Sequence, residues 1–175
     1  MLIFLTGFMG CGKSTTGKKL ANKLSYEFVD LDDYIEQKQG SKIGEMLNEK
    51  GEEYFRNIET ACLAELASKN NLVISTGGGT PCFNHNMNII NASGISIYLK
   101  LSVETLYGRL KNAKHTRPLL ENLEGDKLKS TIRTKLAERE PFYSLSNYKV
   151  KAKDLNLEEL STFLLEKVLQ PQPQI

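Results

Sequence analysis

A chain of 175 residues with 40% apolar content can bury one substantial core, and a single folded unit is expected over residues 1–169. Twenty-three basic residues against 21 acidic ones leave a formal charge of only +2, which offers no chain-wide field for nucleic acid or an anionic membrane, so functional arginines must act locally. The three cysteines, Cys11, Cys62 and Cys82, lack paired spacing for zinc or a disulfide framework, and no run approaches the roughly 20 apolar residues of a membrane span, which points to a soluble protein of a reducing cytoplasm.

The first element is Leu2–Thr6, a short apolar run with no basic stretch ahead of it and an interruption at Gly7; it reads as a strand and not as a leader peptide. It runs into Gly7-Phe8-Met9-Gly10-Cys11-Gly12-Lys13-Ser14, which fits the G-x-x-x-x-G-K-[ST] pattern and opens a predicted helix over Lys13–Leu24. Glycines here let the backbone wrap an anion without Cβ clashes, so several N–H groups and the positive end of the helix face one point. Lys13 supplies a charge for the β- and γ-phosphates of a nucleotide, and the Ser14 hydroxyl is placed for Mg²⁺. Cys11 fills a free position of the loop as a small spacer.

The second run, Tyr26–Asp30, ends in Asp30-Leu31-Asp32, where period-two alternation sets both carboxylates on one side of the strand end. The third run, Leu72–Thr76, leads into Gly77-Gly78-Gly79 and offers no aspartate, so the carboxylate that P-loop proteins keep near magnesium must come from Asp30. Asp32 has two readings: a general base at an acceptor hydroxyl, or the N-cap of the next helix, a role open to Asp33 as well. Residues 31–69 are too long for one crossover helix and carry predicted helices at Ile43–Asn48 and Glu52–Ser68. Phe55, Arg56 and Glu59 lie on the second of these, with Glu59 close enough along one face to orient Arg56.

The chain continues with a strand at Ile95–Leu99, a helix at Val103–Leu110 and a polar, loop-like segment 111–125 that contains Arg117. A helix at Asp126–Glu140 carries Arg139, and a weaker strand at Tyr148–Val150 and a helix at Leu157–Leu169 follow. Segments 31–69 and 111–125 read as insertions at the rim of a site, the second as a lid, and Gln170–Ile175 as a frayed tail. Short strands alternating with helices predict an α/β fold on a mostly parallel sheet. No guanine-reading N-K-x-D element is present, so ATP is the expected nucleotide, and His85 and His115 lack ligand spacing.

Taken in order, Asp30-Leu31-Asp32, Phe55-Arg56 with Glu59, Ser75-Thr76-Gly77-Gly78-Gly79, Arg117-Pro118-Leu119-Leu120 and Arg139-Glu140-Pro141-Phe142-Tyr143 resemble the shikimate kinases over residues 1–150. The resemblance implies a three-layer P-loop kinase fold whose five-stranded parallel sheet has the order 2-3-1-4-5, a helical substrate-binding region after the second strand, and a lid. It implies that Asp32, Arg56, Gly78 and Arg139 bind shikimate, and that Gly10, Cys11, Gly12, Lys13, Ser14, Thr15 and Arg117 bind ATP. It further implies that Ser14 and Asp30 serve Mg²⁺, that Lys13, Asp32 and Arg117 act in catalysis, and that the enzyme is a monomer without nucleic-acid or membrane partners. Arg56 and Arg139 offer a carboxylate the fork-shaped hydrogen bonds that lysine cannot reproduce. A gluconate kinase would meet the same chemical requirement, and a non-catalytic ATP-binding module would need only the phosphate loop.

Overall fold

Strand β1 (Leu2–Thr6) is buried along its whole length, and its side chains alternate between two packed layers. Leu2 and Phe4 enter one core, Ile3 and Leu5 the other. The computed structural model describes residues 1–111 and 123–169. Around β1 lie β2 (Glu27–Asp30), β3 (Leu72–Ser75), β4 (Ile95–Lys100) and β5 (Tyr148–Lys151), all parallel, in the order β2-β3-β1-β4-β5. Residues that alternate into two cores must be covered on both faces, and the helices do this.

On one face, α1 (Lys13–Leu24), α5 (Val103–Leu110), α6 (Gly125–Tyr143) and α7 (Leu157–Leu169) contribute Leu20, Leu106, Ile132 and Leu164, all fully buried. On the other, α2 (Leu31–Gln39), α3 (Ile43–Ala67) and α4 (Asn86–Ser93) contribute Ile35, Leu63 and Ile90. Among the described residues no helix is long and apolar enough to cross a membrane. The lid expected at 111–125 lies largely outside the described residues, as does the tail 170–175.

Three local features differ from the sequence pattern. Helix α2 starts directly after β2, and its cap is Asp30, whose side chain accepts the Asp32 N–H at 3.2 Å; neither Asp32 nor Asp33 has that role. By contrast, the two helices expected at Ile43–Asn48 and Glu52–Ser68 are both present, joined within α3 across non-helical backbone at Gly51 with φ 83° and ψ 169°. Helix α4 forms from an asparagine-rich segment of low helical propensity because Met87 and Ile90 enter the core. Finally, α6 runs through Pro141 to Tyr143, although the proline forfeits a hydrogen bond in the last turn. Complete burial of Tyr143 against Tyr98, with ring centroids 5.2 Å apart, offsets that loss.

Candidate active site

The phosphate loop follows β1 at the carboxyl edge of the sheet, where open α/β proteins bind ligands. Gly10 and Gly12 have φ of 78° and 102°, values that side-chain-bearing residues rarely adopt. Gly12 is the N-cap of α1 and supplies no side-chain cap, which leaves first-turn N–H groups of the helix open to an anion. The Lys13 side chain curls back across the loop, its Nζ donating to the carbonyls of Gly7 at 2.8 Å and Phe8 at 3.2 Å. Arg109, at the end of α5, donates to the carbonyls of Gly10 and Cys11 at 3.2 and 3.1 Å and so closes the outer rim. Cys11 is buried, as a spacer would be.

Ser14 and Thr15 stand exposed in the first turn of α1. Ser14 Oγ donates to Asp30 Oδ2 at 2.6 Å, so the end of β2 reaches the phosphate loop even though β3 lies between β2 and β1. A hydroxyl and a carboxylate oxygen beside a phosphate loop are the hard donors Mg²⁺ takes together with nucleotide phosphates. No group of three or more His, Cys, Asp or Glu forms an all-protein metal cage among the described residues.

Two clefts meet here. The first, of about 240 Å³, is lined by Lys13, Ser14, Asp30, Asp32, Thr76 and Gly78 among others. The second, of about 250 Å³, includes Met9, Asp32, Phe55, Arg56, Gly78 and Arg139 in its wall. Asp32 and Gly78 belong to both.

Charge in the second cleft is held firmly. Arg56 Nη1 donates to Glu59 Oε2 at 2.8 Å, while Nε and Nη2 reach Glu52 Oε1 at 3.3 and 3.1 Å. The Arg56 guanidinium lies 4.0 Å from the Phe83 ring centroid. Glu59, only 1% exposed, accepts a second hydrogen bond from Thr80 Oγ1 at 2.5 Å. Arg139 is 9% exposed, and its guanidinium lies 5.6 Å from the Phe8 ring centroid. A Cβ at Gly79 would fall 2.8 Å from Arg56 Nη2, so any side chain there would force the guanidinium to shift.

Behind Arg139, Tyr143 donates from its hydroxyl to the Gly78 carbonyl at 2.6 Å. Glu140 accepts from the Tyr98 hydroxyl and from Lys100, each at 2.5 Å. Burial works to raise the Glu140 carboxyl, but these hydrogen bonds outweigh it and hold the group below its ordinary value. Burial also drives the phenols of Tyr98 and Tyr143 well above the usual range. It pushes the Cys82 thiol, packed against the core, up to about 11, against the pull of Arg139 and Arg56, so Cys82 remains protonated.

The fold thus places Lys13, Ser14 and Asp30 in the wall of one cleft and Arg56 and Arg139 in the wall of the other, with Asp32 and Gly78 in both; Gly10, Cys11, Gly12 and Thr15 belong to the adjoining loop and first turn of α1 and line neither cleft. Arg117 lies outside the described residues. Sequence reasoning passed over Met9, Ile43 and Leu47 as apolar wall of the second cleft, and over Arg109, Thr80 and Tyr143 as hydrogen-bond donors. Ile43 and Leu47 carry a usable sign, an apolar pair four residues apart on one helix face. The other four carry none.

The family model for shikimate kinase matches residues 9–169. The chain belongs to the shikimate kinase family. Within that family, the shikimate kinase of Parabacteroides distasonis is 48% identical over 142 residues, 81% of this chain and 82% of that protein. The crystal structure of shikimate kinase from Bacteroides thetaiotaomicron superposes with a TM-score of 0.89 at 41% identity, covering 97% of this chain and 99% of that one. Shikimate kinase from Acinetobacter baumannii, solved in complex with shikimate, gives 0.83 at 34% identity over 99% of this chain and 95% of that one. Both solved shikimate kinases therefore share this fold across nearly the full chain.

Proposed function

We propose that this chain transfers the γ-phosphoryl group of ATP to the 3-hydroxyl of shikimate, giving ADP and shikimate 3-phosphate in the biosynthesis of chorismate and the aromatic amino acids. The observation that carries the reading is the pair of clefts with a common wall at Asp32 and Gly78. A phosphate site and a doubly cationic acceptor site that share a carboxylate suit transfer between two bound molecules, which a passive nucleotide binder does not require.

In this reading the loop N–H groups and Lys13 receive the nucleotide phosphates, and the carboxylate of shikimate is held by Arg56 and Arg139. The acceptor oxygen attacks the γ-phosphorus in line, the bond from that phosphorus to the bridging oxygen of ADP breaks, and Asp32 takes the hydroxyl proton. Mg²⁺ held by Ser14 and Asp30 would neutralise charge on the phosphate oxygens. Little covalent work falls to the protein, so positioning and charge supply most of the acceleration. Arg117 adds a cation to the transferring group and belongs, with 111–125, to a lid that excludes water. Residues 31–69 form the acceptor-binding insertion of one domain spanning 1–169, which acts as a cytoplasmic monomer without nucleic-acid or membrane partners.

ADP release measured with shikimate, gluconate and AMP in parallel tests this. Turnover with shikimate and not the others is the expected result. Turnover with gluconate or AMP in its place would overturn the acceptor assignment, and none with any would leave a non-catalytic ATP-binding module.

A further inference from the structure

Two buried hydroxyls that the proposed reaction does not consume hold the glycine turn from opposite sides. Thr80, fully buried at the start of a 3₁₀ turn over Thr80–Cys82, donates to Glu59 Oε1 at 2.5 Å, and the other oxygen of that carboxylate accepts from Arg56. Tyr143, also fully buried, donates to the Gly78 carbonyl at 2.6 Å from a position one helical turn beyond Arg139. The turn between them is tied internally by Thr80 N–H to the Gly77 carbonyl at 3.3 Å and Cys82 N–H to the Gly79 carbonyl at 2.8 Å. Asn86 Nδ2 adds a bond to the Thr80 carbonyl at 3.0 Å.

Arg56 and Arg139 sit on helices that pack into different cores. What they have in common is this turn: α3 is referred to it through Glu59 and Thr80, and α6 through Tyr143 and Gly78. We propose that Thr80 and Tyr143 are positioning residues that set the separation of Arg56 and Arg139, and with it the affinity for the acceptor carboxylate. Neither residue lines either cleft; Thr80 acts through Glu59, and Tyr143 through the Gly78 carbonyl and through its own hydrogen bond with the Arg139 side chain.

The physical cause is the cost of an unmet buried hydrogen bond. Without the Thr80 hydroxyl, the Glu59 carboxylate loses a donor where water cannot replace it, and it must turn, taking Arg56 with it. Without the Tyr143 hydroxyl, the Gly78 carbonyl loses its tie to α6, and the turn is free to drift relative to Arg139. A displacement of about 1 Å in a positioning group is enough to matter, with losses that reach about a hundredfold.

This inference rests on the proposed function, and the experiment separates the two. Steady-state constants for shikimate and ATP, with thermal midpoints, are measured for the parent chain and for Thr80→Val, Thr80→Ser and Tyr143→Phe. The parent tests the function; only ratios to the parent test the positioning, and if gluconate proves to be the acceptor the same ratios are read on that carboxylate. Thr80→Val and Tyr143→Phe are each expected to raise the acceptor KM by about five- to tenfold, with the ATP KM unchanged within about twofold, and Thr80→Ser to restore the parent value. Acceptor KM values that stay at the parent level in folded variants, an equal rise for both substrates, or a Thr80→Ser variant as impaired as Thr80→Val would each overturn the proposal. Should Thr80→Val not fold, Tyr143→Phe decides alone on the same criteria, because its ring retains the packing against Tyr98.

Discussion

Lys13 and Arg56 are held in different ways, and the difference predicts different kinetic effects. Lys13 rests on two loop carbonyls, neutral partners it can leave for phosphate oxygens as charge accumulates. Lys13→Ala should therefore reduce kcat by about a hundredfold or more, and a near-normal kcat in single-turnover measurements would refute the phosphate-loop chemistry. Arg56 is fixed by two carboxylates and an aromatic face, so it cannot yield easily to a new neighbour. In Gly79→Ala the added Cβ would press on Nη2, and we expect the shikimate KM to rise by about tenfold while the ATP KM holds. An unchanged shikimate KM would show that the guanidinium shifts without consequence.

At the scale of elements, the kink of α3 directs the segment carrying Phe55, Arg56 and Glu59. A Cβ at Gly51 meets nothing within 4 Å, so a side chain there costs only backbone strain. Gly51→Ala should lower stability by about 1–3 kcal/mol, read from urea midpoints, and a gain would mean that the kink straightens. Glu140 ties β4 to α6 through Tyr98 and Lys100, with a carboxyl held below its ordinary value. A depressed carboxyl contributes its stability above the unfolded pKa, and that contribution is lost as pH falls through the folded value. Glu140→Gln should thus be less stable than the parent near neutral pH, the gap closing below about pH 4; a gap independent of pH would assign the effect to packing. These elements also mark how far the sequence could be read. The phosphate loop and α1 were legible because anion binding dictates glycine, lysine and serine at fixed spacing. Helix α2 was not, since only Leu31 and Ile35 of its nine residues are buried, too few to impose a period. The end of α6 was hidden by Pro141, whose local cost is outweighed by contacts distant in sequence.

For the whole molecule, the sheet order followed from family likeness, but the meeting of Arg56 with Arg139 had no local sign. Their helices come together only once two cores have packed on opposite faces of the sheet, and the hydroxyls of Thr80 and Tyr143 find their acceptors by the same long-range assembly. That straddling arrangement has a thermodynamic consequence. A carboxylate held between Arg56 and Arg139 would act as a staple between layers otherwise joined through the sheet, so the binding energy would be spent against separation of the layers. Saturating shikimate should then slow amide exchange in α3 and α6 together, while a ligand confined to the phosphate loop would protect α1 and leave α3 to open at its own rate.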